Sequence, residues 1–178
     1  MDIYIMRHGQ AQDFIGAGSM NDSQRALNEH GESEVRLMAN WFEKRKVNPE
    51  HIFVSPYVRA VQTCDIITSS ILSSTVAATI TTLDFITPLD DAKSVHDFID
   101  GWLSEQRTKS LKKSGRKNNA AIQPLESLLI ISHMPLVSYL VAELTQSSNA
   151  PIFATASVAH IDYDIAKMQG TLQSLTSP

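Results

Sequence analysis

Two arginines and two histidines in this sequence are of the residue types that transfer of a phosphoryl group requires. Arg7 and His8 are adjacent, Arg59 lies further along the chain, and His133 comes later still. An arginine guanidinium presents a fixed fork of donors that matches phosphate oxygens, and it stays charged at any working pH. A neutral imidazole can attack phosphorus, and a second imidazole can stabilise charge on the transferring oxygens. These four side chains could therefore bind a phosphate dianion and transfer it.

Apolar segments typical of buried strands come shortly before each part of this set. They are residues 3–6, 51–54 and 128–132. In sheets of parallel strands connected by helices, ligands bind outside the carboxyl ends of the strands. We therefore predict that the two arginines and the two histidines meet at one edge of a sheet.

Predicted strands and helices alternate along the rest of the sequence. We predict helices at 28–47, 56–72, 90–105 and 135–144, and further strands at 76–82, 152–163 and 168–175. This alternation predicts an α/β fold, with a mainly parallel sheet and helices on both of its faces.

The composition limits the partners and the compartment of this protein. The formal net charge of −4 argues against general attraction to nucleic acid or to an anionic membrane surface. The single cysteine, Cys64, cannot form an internal disulfide, and no apolar segment approaches the length needed to cross a membrane. We expect one cytoplasmic domain over residues 1–178, acting as a monomer and binding neither nucleic acid nor membrane.

The other histidines do not suggest a metal site. No pair of them has the close helical spacing of a zinc site, and Cys64 lies within a predicted helix, where a buried and inert thiol is the default. We expect no metal and no cofactor. The histidines interpreted as surface or structural residues are His30, His51, His96 and His160.

One stretch of the sequence is strongly basic. Residues 107–117 hold six of the fifteen basic residues and no acid. The surrounding segment 104–124 is poor in hydrophobic residues, so we predict a mobile surface loop inserted in the domain. The basic stretch could be a solvated segment, or it could steer an acidic protein partner.

Three motifs, taken in order, resemble those of the histidine phosphatase superfamily, which includes the cofactor-dependent phosphoglycerate mutases. They are Arg7-His8-Gly9, the segment 55–63 (SPYVRAVQT) and Ser132-His133-Met134. Within the superfamily, the stretches 36–41 and 132–144 are similar to those of compact bacterial phosphohistidine phosphatases, and the resemblance covers nearly the whole chain.

The resemblance implies a phosphoglycerate mutase-like fold without a large lid. It also implies that His8 is the phosphorylated nucleophile, that Arg7 and Arg59 bind phosphate, and that His133 stabilises the transferring group. The implied substrate is a phosphorylated histidine on a protein, such as a phosphotransfer domain or carrier in bacterial signalling.

The sequence departs from the family where members commonly place a glutamate as general acid. Phe85 stands at that position, and Asp84 beside it is the candidate substitute. An alcohol leaving a phosphate ester needs such an acid, whereas a phosphorylated imidazole can be protonated by solvent and leave as a neutral ring. The missing acid therefore favours phosphohistidine over small phosphate esters. Two alternatives stay open: a phosphatase or mutase of small esters, and a module that binds phosphohistidine without hydrolysing it.

Overall fold

The computed structural model describes residues 1–13, 21–71, 78–114 and 125–178. The strands are β1 (Asp2–Arg7), β2 (His51–Val54), β3 (Thr79–Thr82), β4 (Ser127–Ser132), β5 (Val158–Asp164) and β6 (Gln169–Thr176). The helices are α1 (Glu29–Lys44), α2 (Val58–Ile71), α3 (Ala92–Ser114) and α4 (Leu136–Thr145), with a short 3-10 helix at Asp22–Gln24.

The six strands form one mixed sheet in the order β3-β2-β4-β1-β5-β6. The strands β1, β2, β3 and β4 pair in parallel, and β5 and β6 add an antiparallel hairpin beside β1. The mainly parallel sheet is therefore confirmed. Because β5 runs opposite to β1, the start of β5 lies at the same edge as the carboxyl ends of the parallel strands.

Alternate residues of the central strands face opposite layers of helices, because successive side chains of a strand point to opposite faces. On one face, Ile3 and Ile5 of β1 pack into a core that includes residues of α3 and α4. On the other face, Tyr4 and Met6 pack into a core that includes residues of α1 and α2. The prediction of helices on both faces is confirmed. No helix in the described parts of the chain is long and apolar enough to span a membrane.

The amino end of α1 presses closely against the loop that follows β1. Asn28 caps the helix, its Oδ1 accepting a hydrogen bond of 2.8 Å from the Gly31 main-chain N–H. A Cβ atom on Gly31 would collide with the main chain of Gln10, and one on Gly9 would lie 2.6 Å from the Gly31 carbonyl oxygen. Glycine at both positions therefore permits a close approach that helps to fix the loop containing His8.

Two parts of the sequence-based assignment were wrong. The predicted loop at 104–124 is helical up to Ser114, because the segment is rich in good helix formers such as lysine and glutamine. Lys109 also forms an ion pair of 2.8 Å with Glu105 one turn earlier. Residues 115–124 lie outside the described residues. The strand predicted at 152–163 begins only at Val158, and 152–157 form an irregular segment that contributes to the site below.

Candidate active site

An open cavity of about 440 Å³ lies at the sheet edge where β1, β2 and β4 end. Arg7, His8, Arg59 and His133 all line it, so the structure brings the four predicted residues together. Arg7 is the last residue of β1, and His133 directly follows β4. Arg59 enters from the first turn of α2. Thr155, before β5, lines the wall as well.

His8 is held as a neutral ring whose lone pair is on one specific nitrogen. Its Nδ1 lies 2.6 Å from the Gly9 carbonyl oxygen, and a carbonyl can only accept, so Nδ1 carries the hydrogen and donates it. The lone pair of the neutral ring is therefore on Nε2. The Nε–H of Arg59 donates to that nitrogen at 3.1 Å.

Burial and neighbouring charges keep His8 unprotonated. Desolvation lowers the pKa of His8 to about 3, and the positive charges of Arg59 and Arg7 act in the same direction. The hydrogen bond to the Gly9 carbonyl raises this pKa but is outweighed. His8 therefore stays a neutral imidazole, which is the nucleophilic form, at any physiological pH.

His133 lies beside His8 and presents a hydrogen-bond donor. The two ring centroids are 4.9 Å apart. Nε2 of His133 lies 2.7 Å from the Ser55 hydroxyl oxygen, which accepts from the Tyr57 main-chain N–H at 3.5 Å. Ser55 is fully buried, and Nε2 is the one acceptor that its hydroxyl hydrogen reaches among the described residues. Because a buried donor needs an acceptor, the hydroxyl donates to Nε2, and the hydrogen of the neutral ring is on Nδ1. Desolvation, followed by the proximity of His8 and Arg59, lowers the pKa of His133 to about 2.

Two buried donor atoms have no hydrogen-bond partner within the described part of the chain, and both belong to this site. They are Nε of Arg7 and Nδ1 of His133. Leaving a buried polar group unpaired costs about 1–3 kcal/mol, so native proteins rarely do so. The Nη1 of Arg7 is already held by the Phe153 carbonyl oxygen at 2.7 Å, which fixes the direction of the guanidinium. A bound oxyanion would satisfy both unpaired donors.

Arg59 is almost fully buried, with 4% of its surface exposed, and both of its terminal nitrogens are bound by Asp22. Its Nη2 forms an ion pair of 2.8 Å with Oδ2 of Asp22, and its Nη1 donates to the Asp22 main-chain oxygen at 2.6 Å. One turn along α2, Thr63 donates to the Arg59 carbonyl oxygen at 2.7 Å and accepts from the Gly9 N–H at 3.2 Å. Thr63 therefore ties the loop of His8 to the helix of Arg59.

The carboxylate of Glu34 joins two walls of the cavity. One oxygen accepts from the Gln10 main-chain N–H at 2.9 Å, and the other accepts from the Thr155 hydroxyl at 2.6 Å. Gln10 and Thr155 both line the cavity. Burial lowers the pKa of Arg7, and the negative charge of Glu34 opposes that effect. Glu34 therefore both braces the site and supports the charged form of Arg7.

Sequence reasoning missed five residues of the site: Asp22, Arg25, Glu34, Ser55 as the partner of His133, and Thr63. Only Ser55 and Thr63 had a signal, because they belong to the second motif beside Arg59. The contacts of Asp22 and Glu34 depend on the path of the chain between β1 and α1. Arg25 also lines the cavity, and its Nη1 donates to Oδ1 of Asp22 at 3.0 Å.

Asp84 and Phe85 lie in a turn after β3, and neither is among the described residues that line the cavity. The side chain of Asp84 is exposed. Phe85 is 37% exposed and packs edge-on against Phe98, with ring centroids 5.0 Å apart. Pro88, further along the same loop, does reach the cavity. This geometry gives no support to Asp84 as a general acid.

The other histidines lie outside the cavity lining and have local partners. His51 contacts the Thr81 hydroxyl at 3.0 Å, and His160 pairs with Asp2 at 2.6 Å. His96 contacts the Tyr163 hydroxyl at 2.9 Å, and His30, which is 70% exposed, lies 3.4 Å from Oε1 of Glu34. Cys64 is buried, and desolvation raises the pKa of its thiol to about 12, so it is not a reactive thiolate at neutral pH.

Comparison with known proteins gives the same family as the motifs. Residues 3–82 match the model of the histidine phosphatase superfamily (branch 1). The chain is 33% identical to phosphohistidine phosphatase SixA of Escherichia coli K12 over 164 residues, which cover 92% of this chain and 86% of that protein. It is 32% identical to the SixA homolog of Haemophilus influenzae, over 92% of this chain and 89% of that protein.

Solved structures agree with the sequence comparison. The structure of the protein histidine phosphatase SixA complexed with tungstate superposes with a TM-score of 0.79 at 32% identity, covering 100% of this chain and 97% of that one. A putative SixA from Agrobacterium tumefaciens superposes with a TM-score of 0.71 at 18% identity, over 99% of this chain and 97% of that one, which is a likeness of fold alone.

Proposed function

This chain belongs to the histidine phosphatase superfamily, and we propose that it removes phosphate from phosphorylated histidines of proteins through a phosphorylated His8. The observation that carries the proposal is the pair of unpaired buried donors, Arg7 Nε and His133 Nδ1, beside the lone pair of His8. A relative of the same fold binds tungstate, a tetrahedral oxyanion. The site therefore suits a phosphoryl group that is attacked by a neutral imidazole.

In the first step, the lone pair of His8 Nε2 forms a bond to phosphorus while the nitrogen–phosphorus bond of the substrate breaks. The electron pair of the broken bond stays on the substrate nitrogen. The other ring nitrogen of the substrate carries a proton from solvent, so the substrate leaves as neutral imidazole. The Gly9 carbonyl accepts from Nδ1 of His8 and stabilises the positive charge that the ring gains.

In the second step, water attacks the phosphorus of phosphorylated His8. The nitrogen–phosphorus electron pair returns to Nε2, so His8 is again a neutral ring, and both protons of the water leave with the phosphate, which releases one of them to solvent according to the pH. Arg7, Arg59 and His133 hold the equatorial oxygens in both steps, because charge builds on these oxygens in each transition state. For Arg59, an oxygen of the phosphoryl group that enters beside Nε2 replaces the His8 nitrogen as the acceptor of the Nε–H, which frees the lone pair for attack.

The form of the site favours a protein substrate over a small ester. The cavity is open to solvent, so a histidine side chain carried on another protein can enter it. No carboxylic acid from the turn that holds Asp84 and Phe85 lines the described cavity. The position at which family members place a general acid therefore supplies none to the cavity, which favours a substrate whose leaving group needs no acid from that position. A phosphotransfer domain or a histidine-phosphorylated carrier meets that requirement.

The proposal is tested by mixing a carrier protein radiolabelled on phosphohistidine with the wild type, with His8→Ala and, as a control, with Asp97→Asn, a change at an exposed position on α3. We expect the wild type and Asp97→Asn to release phosphate and to carry label transiently in rapid-quench samples. His8→Ala should do neither. A stable complex that forms only with the phosphorylated carrier and releases no phosphate would instead show a binding module. Faster turnover of small phosphate esters than of the carrier would show an ester phosphatase.

A further inference from the structure

Two acidic residues, Asp13 and Asp22, line the pocket beside three arginines, and Asp22 forms an ion pair with Arg59. The carboxylate of Asp22 lies among residues that include Arg7, Arg25 and Arg59, and Asp22 lines the same cavity. Partial burial raises the pKa of Asp22, but hydrogen bonds and positive charge from Arg59 and Arg25 outweigh this effect and lower the pKa overall. Asp22 is therefore ionised at neutral pH. A carboxylate at a phosphate site is unexpected, because it repels the dianion that the site must bind.

Asp22 contacts Arg59 at two points, which together fix the plane of the guanidinium. The carboxylate oxygen Oδ2 accepts from Nη2 at 2.8 Å, and the main-chain oxygen accepts from Nη1 at 2.6 Å. A guanidinium is planar, so anchoring both terminal nitrogens sets the direction of the remaining Nε–H. That N–H points at Nε2 of His8, at 3.1 Å. Asp22 thus sets where Arg59 can deliver a hydrogen bond.

The contact between Asp22 and Arg59 also lowers the affinity of the site for inorganic phosphate. The charge of Arg59 is shared with Asp22, so less of it acts on the phosphate oxygens. Arg59 exposes 4% of its side chain, which makes the interaction of the two charges less screened than on a surface. An interaction that helps the transition state without tightening the hold on product raises turnover.

We propose that Asp22 is a positioning residue that aims the Arg59 guanidinium at the transferring phosphoryl group and, through its negative charge, keeps inorganic phosphate from being held too tightly. The inference rests on the proposed function, since it assigns a role within the same site. It predicts an unusual combination for a variant that lacks the charge: tighter binding of phosphate together with slower turnover. General damage to the site would weaken both.

The test compares Asp22→Asn, Asp22→Glu and, as a control, Asp97→Asn. Asp97 is exposed on α3 in an ion pair with Lys93, so it controls for the loss of one acid elsewhere. The first measurement is the Kd of inorganic phosphate by calorimetry at low and high salt. We expect Asp22→Asn to bind phosphate about tenfold more tightly than the wild type at low salt, with a smaller difference at high salt. Asp22→Glu keeps the charge and should stay within about threefold of the wild type.

The second measurement is turnover of a phosphohistidine carrier at saturation. We expect kcat of Asp22→Asn to fall about tenfold, because Arg59 loses its charged anchor and phosphate leaves more slowly. Asp97→Asn should match the wild type in both measurements. An unchanged or weaker phosphate Kd in Asp22→Asn overturns the inference, whatever happens to kcat. If the wild type binds phosphate but hydrolyses no phosphohistidine, the proposed function fails, and the Kd comparison still decides whether Asp22 weakens phosphate binding.

Discussion

Ser55 and His133 are joined by a hydrogen bond of 2.7 Å, although they belong to strand ends 78 positions apart in the chain. Both side chains are buried, at 0% and 1% exposure. The bond leaves the ring hydrogen of His133 on Nδ1, a buried nitrogen without a hydrogen-bond partner in the described part of the chain. Ser55 thus decides whether His133 meets a phosphate oxygen with a donor or with a lone pair.

Replacing Ser55 by alanine should slow catalysis without unfolding the protein. In Ser55→Ala, Nε2 of His133 loses its partner, and the ring can carry its hydrogen on the wrong nitrogen. Removing a donor to a transition-state oxygen costs about a hundredfold in kcat, so a partial loss of the correct tautomer should cost about tenfold or more. Steady-state kinetics on a phosphohistidine carrier measure this. Ser33→Ala, an exposed position on α1, is the matched control. An unchanged kcat in Ser55→Ala would contradict the role given to Ser55.

The activity should not fall as the pH is lowered from 7 to 5. The folded-state pKa of His8 is about 3 and that of His133 about 2, so neither ring gains a proton over this range. The measurement is kcat/KM on a phosphohistidine carrier, corrected for hydrolysis without enzyme. An acidic limb with a midpoint near 6.5, the ordinary histidine pKa, would show that His8 is far less desolvated than the structure indicates.

The same depressed pKa values predict that the free energy of unfolding decreases in mild acid. In the unfolded chain, His8 takes up a proton below about pH 6.5, whereas in the folded chain it does so only near pH 3. Unfolding is therefore coupled to proton uptake between these values, and stability falls as the pH decreases through that window. For His8 alone the loss at pH 4.5 is about 2–3 kcal/mol. Urea denaturation at pH 7 and at pH 4.5 measures it.

The control for this prediction is His8→Asn, which removes the titrating group. Its loss of stability between pH 7 and pH 4.5 should be smaller than that of the wild type by about 2–3 kcal/mol. Equal losses in the two proteins would mean that His8 does not have the depressed pKa.

Glu34 offers a test of the cavity wall. Glu34→Ala removes the acceptor for both Gln10 and Thr155, so the two walls lose their link. We expect kcat/KM to fall about tenfold and the free energy of unfolding to fall by about 1–3 kcal/mol, because two donors lose their partner. Glu32→Ala is the matched control on the same helix, since Glu32 makes only an exposed ion pair with Arg36. Its stability should change by less than about 0.5 kcal/mol. If Glu34→Ala and Glu32→Ala lost similar amounts of activity and stability, the role of Glu34 in linking the two walls would be contradicted.

Asp84→Asn should leave kcat within about twofold of the wild type, because Asp84 lies outside the cavity lining in an exposed turn. Kinetics on the phosphohistidine carrier decide the point. A tenfold loss would restore Asp84 as the general acid that the sequence first suggested.

The sequence predicts the four main residues of the site because each follows a short apolar segment or belongs to a motif next to one. Parallel strands bring such ends together whatever the loops do, so Arg7, His8 and His133 needed no knowledge of side-chain contacts. Asp22 could not be found in this way. Asp22 lies in a polar segment without hydrophobic periodicity. Its contact with Arg59 depends on how two separate parts of the chain are arranged in space, which no local sequence pattern predicts.

At the end of α3, the sequence pattern predicted a loop where the structure has a helix. Residues 104–114 are poor in hydrophobic residues, which predicted a loop, yet they continue the helix. Low hydrophobicity removes the evidence for a buried face, but it does not lower helix propensity when the residues are lysine, arginine, glutamine and leucine. Burial and backbone preference are separate properties, and only the first was used in the prediction.

The position of β1 between β4 and β5 determines when its pairing can be completed as the chain is synthesised. Asp2 pairs with Ser127 on one side and with Asp162 on the other, so the strand that leads to His8 gains its two neighbours only late in synthesis. On the ribosome, a nascent chain that ends before His133 carries His8, the proposed nucleophile, but not the ring beside it. Turnover therefore reports on complete assembly of the sheet, and loss of activity during gradual denaturation should coincide with loss of the whole fold.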